Sequence, residues 1–308
     1  LEASAIIIVE PKRVALGPVA LNAPGAGDVV VETLHSGIST GTEKLFWSGE
    51  MPPFPGMGYP LIPGYESVGR VVEAGPENRH RRGDFVFVPG ASCYGPIRGL
   101  FGASASHIVL PAQRAVTIDP ALQDRGVLLA LAATAWHASA GHAQPDLIIG
   151  HGVVGRLLAR IAVLHGKDPV VWEKSPGRRS GAEGYTVIDP ADDTSKYQTI
   201  YDASGDASLM DTLIARLLPG GEIVLAGFYN TIAFAFAPAF MREAKFRIAA
   251  QWSPADLAAA KTAAESGALS LHNLITHHAP AANAATAYQT AFESADCLKL
   301  IIDWNLAP

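Results

Sequence analysis

Apolar residues recur along the chain in two different rhythms. Up to about residue 120 they come in short runs separated by Gly and Pro. Ile6-Ile7-Ile8-Val9 is one buried run and Asp28–Leu34 another, with Pro24, Gly25 and Gly27 in the turn between them. Pro63–Val72 turns into a further strand, Gly83-Asp84 makes a turn, and Phe85–Val88 is the next strand. Many short strands of this kind predict a compact, barrel-like β domain. From residue 121 the rhythm changes. Residues 124–140 have helical spacing; an apolar run ends at Gly150; Val154, Leu157, Leu158, Ile161 and Leu164 then repeat at helical spacing as far as Gly166; and Val170–Trp172 forms a second run. Thr199–Gly205 reads as a strand ending in a turn, Met210–Leu218 as a helix stopped by Pro219-Gly220-Gly221, and Glu222–Gly227 as a strand. Such alternation predicts an α/β unit with a parallel sheet covered on both faces. Asp256–Ser266 and Ala281–Phe292 read as helices, Leu298–Ile302 as a last apolar run, and Thr231–Phe240 as an edge strand able to pair across a homodimer.

Composition narrows the classes. The 308 residues are 49% hydrophobic and carry a formal net charge of −6, so nucleic acid and anionic membrane surfaces are poor partners. The longest apolar run, around Val127–Trp136, is too short to span a bilayer, and no signal-peptide pattern opens the chain. Cys93 and Cys297 cannot build a disulfide framework and suit a cytoplasmic setting.

The strongest chemical signal is Gly150-x-Gly152-x-x-Gly155, set between a strand and a helix with an acid, Glu173, closing the next strand. Gly150 makes the tight turn, Gly152 admits a pyrophosphate, and Gly155 lets helix and strand pack closely. The helix N-terminus, with Val153 and Val154, offers N–H groups to phosphates. Glu173, with Lys174 beside it, would accept hydrogen bonds from the ribose hydroxyls and repel a 2′-phosphate, which favours NAD over NADP. Arg178 and Arg179 argue the other way unless they are solvated surface residues, the reading preferred here. Asp202, Ser204 and Gly205, then Gly227 and Phe228, end later strands, where a dinucleotide lies in open parallel sheets.

Gly37-Ile38-Ser39, Pro63-Gly64-Tyr65-Glu66, Gly83-Asp84, Ala133–Trp136, the glycine turn and Asp202–Gly205 come in an order that resembles the medium-chain dehydrogenase/reductase superfamily. The resemblance covers nearly the whole chain. It implies a GroES-like catalytic domain (1–120 and 268–308) and a Rossmann domain (121–267), with the C-terminal tail returning to the first domain. It also marks departures. The zinc alcohol dehydrogenases have Cys, His and a third ligand where this chain has Ser39, Tyr65 and about Ala130, and their four-cysteine lobe is absent. A zinc-free member is implied, with no metal. The string from Ser39 to Glu73 further resembles dehydrogenases of bacteriochlorophyll synthesis, which oxidise a hydroxyethyl side chain of a magnesium tetrapyrrole, a bacteriochlorophyllide, to acetyl with NAD.

Without zinc, another group must take the alcohol proton. Tyr65 is the first candidate, a phenol able to donate or accept if its pKa is tuned; a packed core tyrosine is the competing reading. Ser39, Thr40 and Thr42 could hold the oxygen or relay the proton, Lys44 could lower a neighbour's pKa, and Glu66 could be a base or could order the site. His35 and His137 are weaker choices. Phe46, Trp47, Met51, Phe54, Met57 and Tyr59, in a Pro-rich loop, are expected to wall a flat apolar substrate, against the alternative that the loop packs on its own domain. Gly37–Gly41 matches G-x-S-x-G, but a hydrolase elbow needs the top of a parallel sheet. Two rivals stay open: a zinc-free quinone or enoyl reductase, and a non-catalytic NAD- and tetrapyrrole-binding protein.

Overall fold

The computed structural model describes residues 1–304. The chain divides into two compact units, Leu1–Ala130 with the residues from Leu274 on, and Leu131–Asn273. The expected breaks at 120/121 and 267/268 fall somewhat earlier than these.

In the first unit, Asp28–Ile38 is the long central strand. Its odd positions Val29 and Val31 are fully buried, and it pairs antiparallel with Ser67–Ala74, His107–Pro111 and Leu300–Asp303. Phe85–Val88, Val116–Thr117 and His277–Pro280 complete this seven-stranded sheet. A second sheet runs Arg13–Ala20, Glu2–Glu10, Leu61–Ile62, Arg98–Gly99. One apolar core, with Ala5, Val29, Val31, Val86 and Ile108, lies in this unit. The tail does return to the first unit: Leu300 pairs with Ile38 and Asp303 with His35.

In the second unit six parallel strands lie in the order Thr186–Ile188, Val170–Trp172, Leu147–Ile149, Tyr197–Asp202, Leu217–Leu225, Lys245–Ile248. Leu147, Ile148 and Ile149 are buried on both faces, as a central parallel strand requires. Helix Val153–Leu164 buries Leu157, Leu158 and Ile161 and ends before Gly166, which takes a left-handed φ of 75°. Leu164, expected on the apolar face, is 41% exposed.

Four readings need correction. Residues 124–140 are not one helix: 3-10 turns over Pro120–Leu128, broken at Gln123 (φ 50°), precede the helix Leu129–Ser139. The helix from Met210 stops at Arg216, and Pro219-Gly220-Gly221 lies inside the strand Leu217–Leu225. Thr231–Phe240 is no strand. Phe236–Met241 is a short helix, and the sheet edge is Lys245–Ile248; the alternating Phe and Ala imitate a strand period. Finally, Phe46 and Trp47 are not in a loop but on the helix Thr42–Ser48. Among the described residues no helix is long and apolar enough to cross a membrane, and neither cysteine forms a disulfide.

Candidate active site

The order of the second unit's sheet reverses between Leu147–Ile149 and Tyr197–Asp202, the place where doubly wound sheets take ligands. After the first of these strands Gly150 turns with φ 91°. A Cβ on Gly155 would lie 1.9 Å from the Gly150 carbonyl oxygen, so turn and helix close only on glycine. A Cβ on Gly152 would meet nothing within 4 Å. That open space sits at the helix N-cap, where the first N–H groups, Val153 and Val154 among them, have no intrahelical acceptor. The cradle fits a pyrophosphate.

Glu173 is buried at the end of its strand. One carboxylate oxygen accepts from the Ser175 N–H at 2.8 Å and the other from the His151 N–H at 3.1 Å. A carboxylate offers about four acceptor positions, so a vicinal diol still finds two. Lys174 is exposed. Arg179 is not a solvated arginine: it donates to the carbonyls of Glu173 and Lys174 and pairs with Asp189. Asp202 accepts from Ser204 N at 2.8 Å and Ser204 Oγ at 2.6 Å, while its Oδ2 is buried without a partner. Burial pushes the Asp202 carboxyl above its ordinary value. Gly205 (φ 72°) and Gly227 touch backbone to backbone; a Cβ on Gly227 would be 2.8 Å from Gly205 N. Phe228, next in the chain, is half exposed.

In the first unit, the register Ser36↔Ser67 brings Ser39, the residue after one strand, near Tyr65, two residues before the other. Ser39 Oγ and Tyr65 Oη are therefore 2.5 Å apart, with Thr42 beside Tyr65. Gly64 (φ 99°) must be glycine, because a Cβ there would lie 2.3 Å from Ser104 Oγ. Burial first, and then the charge of Glu66, push the Tyr65 phenol well above its ordinary value. The shift favours the neutral phenol over a phenolate.

Glu66 is tied to a lysine, and its Oε1 is buried without a partner. Its Oε2 takes a 2.6 Å hydrogen bond from Lys299 Nζ, which also donates to Ile38 O at 3.1 Å; both side chains are buried. Glu43 lies beneath Ser39, accepting from its N–H at 3.2 Å and from the Tyr288 hydroxyl at 2.7 Å. Burial is the main cause that pushes Glu43 up to about 8. Thr40 and Lys44 are exposed, and no hydrogen bond joins either to the Ser39–Tyr65 pair. His35 and His137 are each tied to a carboxylate, Asp303 at 2.7 Å and Asp256 at 2.9 Å.

The expected substrate wall is largely core. Phe46 is fully buried and Trp47 nearly so, Met51, Met57 and Tyr59 pack on the same cluster, and Tyr59 donates to the Phe46 carbonyl. Phe54 is exposed. Sequence reasoning missed Phe101, whose exposed ring stands edge-on to Tyr65 at 5.8 Å and to Phe46 at 6.3 Å. It also missed Glu43, Tyr288 and Lys299. Lys299 left a signal: a lysine inside the apolar run Leu298–Ile302 needs a buried partner.

The three zinc-ligand positions fit no zinc ion. Two hydroxyls are bonded to one another, and Ala130 presents a buried methyl. Among the described residues no group of three His, Cys, Asp or Glu could hold a metal. The G-x-S-x-G match lacks its context, since the strands beside Gly37 and Ile38 run antiparallel.

Residues 25–120 match the alcohol dehydrogenase GroES-like domain. The chain is 60% identical to the 2-desacetyl-2-hydroxyethyl bacteriochlorophyllide A dehydrogenase of Cereibacter sphaeroides over 98% of both chains. It is 58% identical to the enzyme of the same name from Rhodobacter capsulatus over 99% of both. Among solved structures, an alcohol dehydrogenase from Escherichia coli CFT073 complexed with NADH superposes with a TM-score of 0.83 at 21% identity, covering 98% of this chain and 99% of that one. On these similarities, the chain belongs to the medium-chain dehydrogenase family.

Proposed function

We propose that the chain oxidises the hydroxyethyl substituent of a bacteriochlorophyllide to acetyl, passing hydride to NAD without a catalytic zinc. The substrate class comes from the printed names of its two close relatives. The observation that carries the mechanism is the Ser39–Tyr65 hydroxyl pair standing at the zinc-ligand positions.

When bound, the nicotinamide accepts the carbinol hydrogen with its electron pair. The chain's own residues handle the other hydrogen. As the carbonyl forms, the alcohol proton enters the Tyr65 oxygen, the phenol's proton moves to Ser39 Oγ, and Ser39's own hydroxyl proton leaves to solvent water, so neither a phenolate nor an oxonium accumulates. The upward-tuned phenol suits this concerted relay. Thr42 stands beside the phenol, and the Glu66–Lys299 pair fixes the turn beneath it. Positive charge left by the departing hydride spreads into the macrocycle, which lowers the demand on the site. Phe54 and Phe101 offer exposed rings to a flat apolar ligand. Glu173 supports NAD over NADP because its carboxylate would repel a 2′-phosphate.

Mixing protein, NAD and hydroxyethyl bacteriochlorophyllide should produce NADH absorbance and the pigment's spectral shift together. Tyr65→Phe should lower turnover about 100-fold while NADH still binds. Unchanged turnover would remove Tyr65 from the relay, and a spectral change with no NADH would sink the dehydrogenase reading.

The same reading includes self-association. Lys245–Ile248 leaves one edge of the sheet unpaired, and Phe236, Phe240, Met241 and Ile248 are exposed around it. A second copy is the occupant proposed for this edge. Light scattering of the wild type and of Ile248→Lys tests it: a dimer reduced to monomer is expected, and a monomeric wild type would refute it.

A further inference from the structure

His151, the residue between the first two glycines of the turn, is fully buried and bonded at every polar atom. Its Nδ1 is 2.6 Å from the Arg178 carbonyl and its Nε2 is 2.8 Å from the Tyr185 hydroxyl. A carbonyl can only accept, so Nδ1 carries the hydrogen and Nε2 of the neutral ring accepts from Tyr185. Burial pushes this imidazole down to about 4, which keeps it neutral. The His151 N–H donates to Glu173, and its carbonyl accepts from Arg156 Nε at 3.1 Å. The Arg156 guanidinium then reaches the carbonyls of Arg178, Ser180 and Gly181 at 2.9–3.2 Å. Gly181, at φ 83°, leaves room for it: a Cβ there would strike the guanidinium at 2.5 Å.

One residue therefore ties three things: its backbone N–H holds the Glu173 carboxylate to the glycine turn, and its imidazole joins that turn to Arg178 and Tyr185. Nothing in pyrophosphate chemistry requires an imidazole at this position. Its acceptors and donors all belong to the segment that follows the Glu173 strand.

We propose that His151 is a positioning residue for dinucleotide binding, a neutral strut whose ring holds the 178–185 segment against the glycine turn, beside Glu173, before the ligand arrives. The inference rests on the dinucleotide reading above. Pre-ordering of this kind lowers the ordering cost at the moment of binding. It acts on affinity and not on the hydride step, so the split between the two is diagnostic.

The test is the NADH dissociation constant of the full chain by calorimetry, with amide hydrogen exchange on the ligand-free protein. His151→Ala should weaken NADH about tenfold, the loss of a well-made buried hydrogen bond. Exchange should speed up across 175–185 without NADH. The dinucleotide KM should rise far more than kcat falls. His151→Asn keeps a donor for the Arg178 carbonyl and should recover part of the affinity, and Tyr185→Phe, which removes one hydroxyl, should weaken binding by a few-fold. NADH affinity unchanged in a folded His151→Ala, or no gain from Asn over Ala, overturns the strut. Should His151→Ala fail to fold, Tyr185→Phe with unchanged affinity and unchanged exchange overturns it. A wild type that binds neither NADH nor NADPH removes the dinucleotide reading itself, and the strut with it.

Discussion

The glycine turn of the second unit and the hydroxyl pair of the first are built on opposite principles. The turn is made of backbone: Gly150, Gly152 and Gly155 act by what they lack, and the contacts that matter are N–H groups and carbonyls. The pair is made of side chains: two hydroxyls 2.5 Å apart over a buried layer of Glu43, Glu66, Tyr288 and Lys299. The first tolerates no added atoms. The second tolerates no unpaired charge. Each should fail in its own way.

The harshest break is Gly155→Val. Its Cβ would fall 1.9 Å from a carbonyl oxygen, so the turn must open. NADH binding should drop by more than about 100-fold, since a misplacement on the order of an ångström carries that cost; calorimetry measures it. Near-native affinity would mean that the turn is not the cradle.

Next comes Lys299→Met, which leaves Glu66 charged, buried and alone. Removing one partner of a buried pair costs about 3–5 kcal/mol, read as a lower urea midpoint for the first unit. Adding Glu66→Leu should restore most of the loss. A double variant as weak as the single one would show that packing, and not the uncompensated charge, is what the lysine supplies.

Phe101→Ala sharpens the side-chain half. The ring is exposed and beside Tyr65, so its loss should raise the KM for the macrocyclic alcohol by roughly tenfold, the worth of a hydrophobic contact of this size, with kcat little changed. Equal effects on KM for a small secondary alcohol would remove it as a pigment contact.

The smallest effect is a pH signature. Folded Glu43 titrates near 8 against an ordinary 4.5. The folded state therefore favours the protonated acid, a contribution fully present below pH 4.5 and lost as pH rises through 8. Glu43→Gln should flatten the decline in melting temperature over that window. Parallel curves for variant and wild type would refute the assignment.

The same contrast explains what could be read from the chain. Glycine spacing and apolar rhythm are local, so the parallel sheet, the cradle and Glu173 were legible, and family motifs located Ser39 and Tyr65 as neighbours. What stayed hidden needed contacts between distant residues. For Glu66 the chain offered both a base and a residue that orders the site, and gave no sign of its partner Lys299, 233 positions away. Phe46 and Trp47 looked like a wall because aromatic content says nothing of which side faces the core. Thr231–Phe240 imitated a strand through its alternation, and the preference for irregular chain and helix there comes from tertiary packing.

The return of Leu300–Asp303 to the strand Asp28–Ile38 has a consequence for biogenesis. The dinucleotide unit is one uninterrupted stretch, Leu131–Asn273, and can mature while translation continues. The Ser39–Tyr65 pair cannot be locked into place until Lys299, which holds Glu66 and the Ile38 carbonyl, has left the ribosome. Under the function proposed above, a message truncated just short of that lysine would yield a dinucleotide binder with no catalyst.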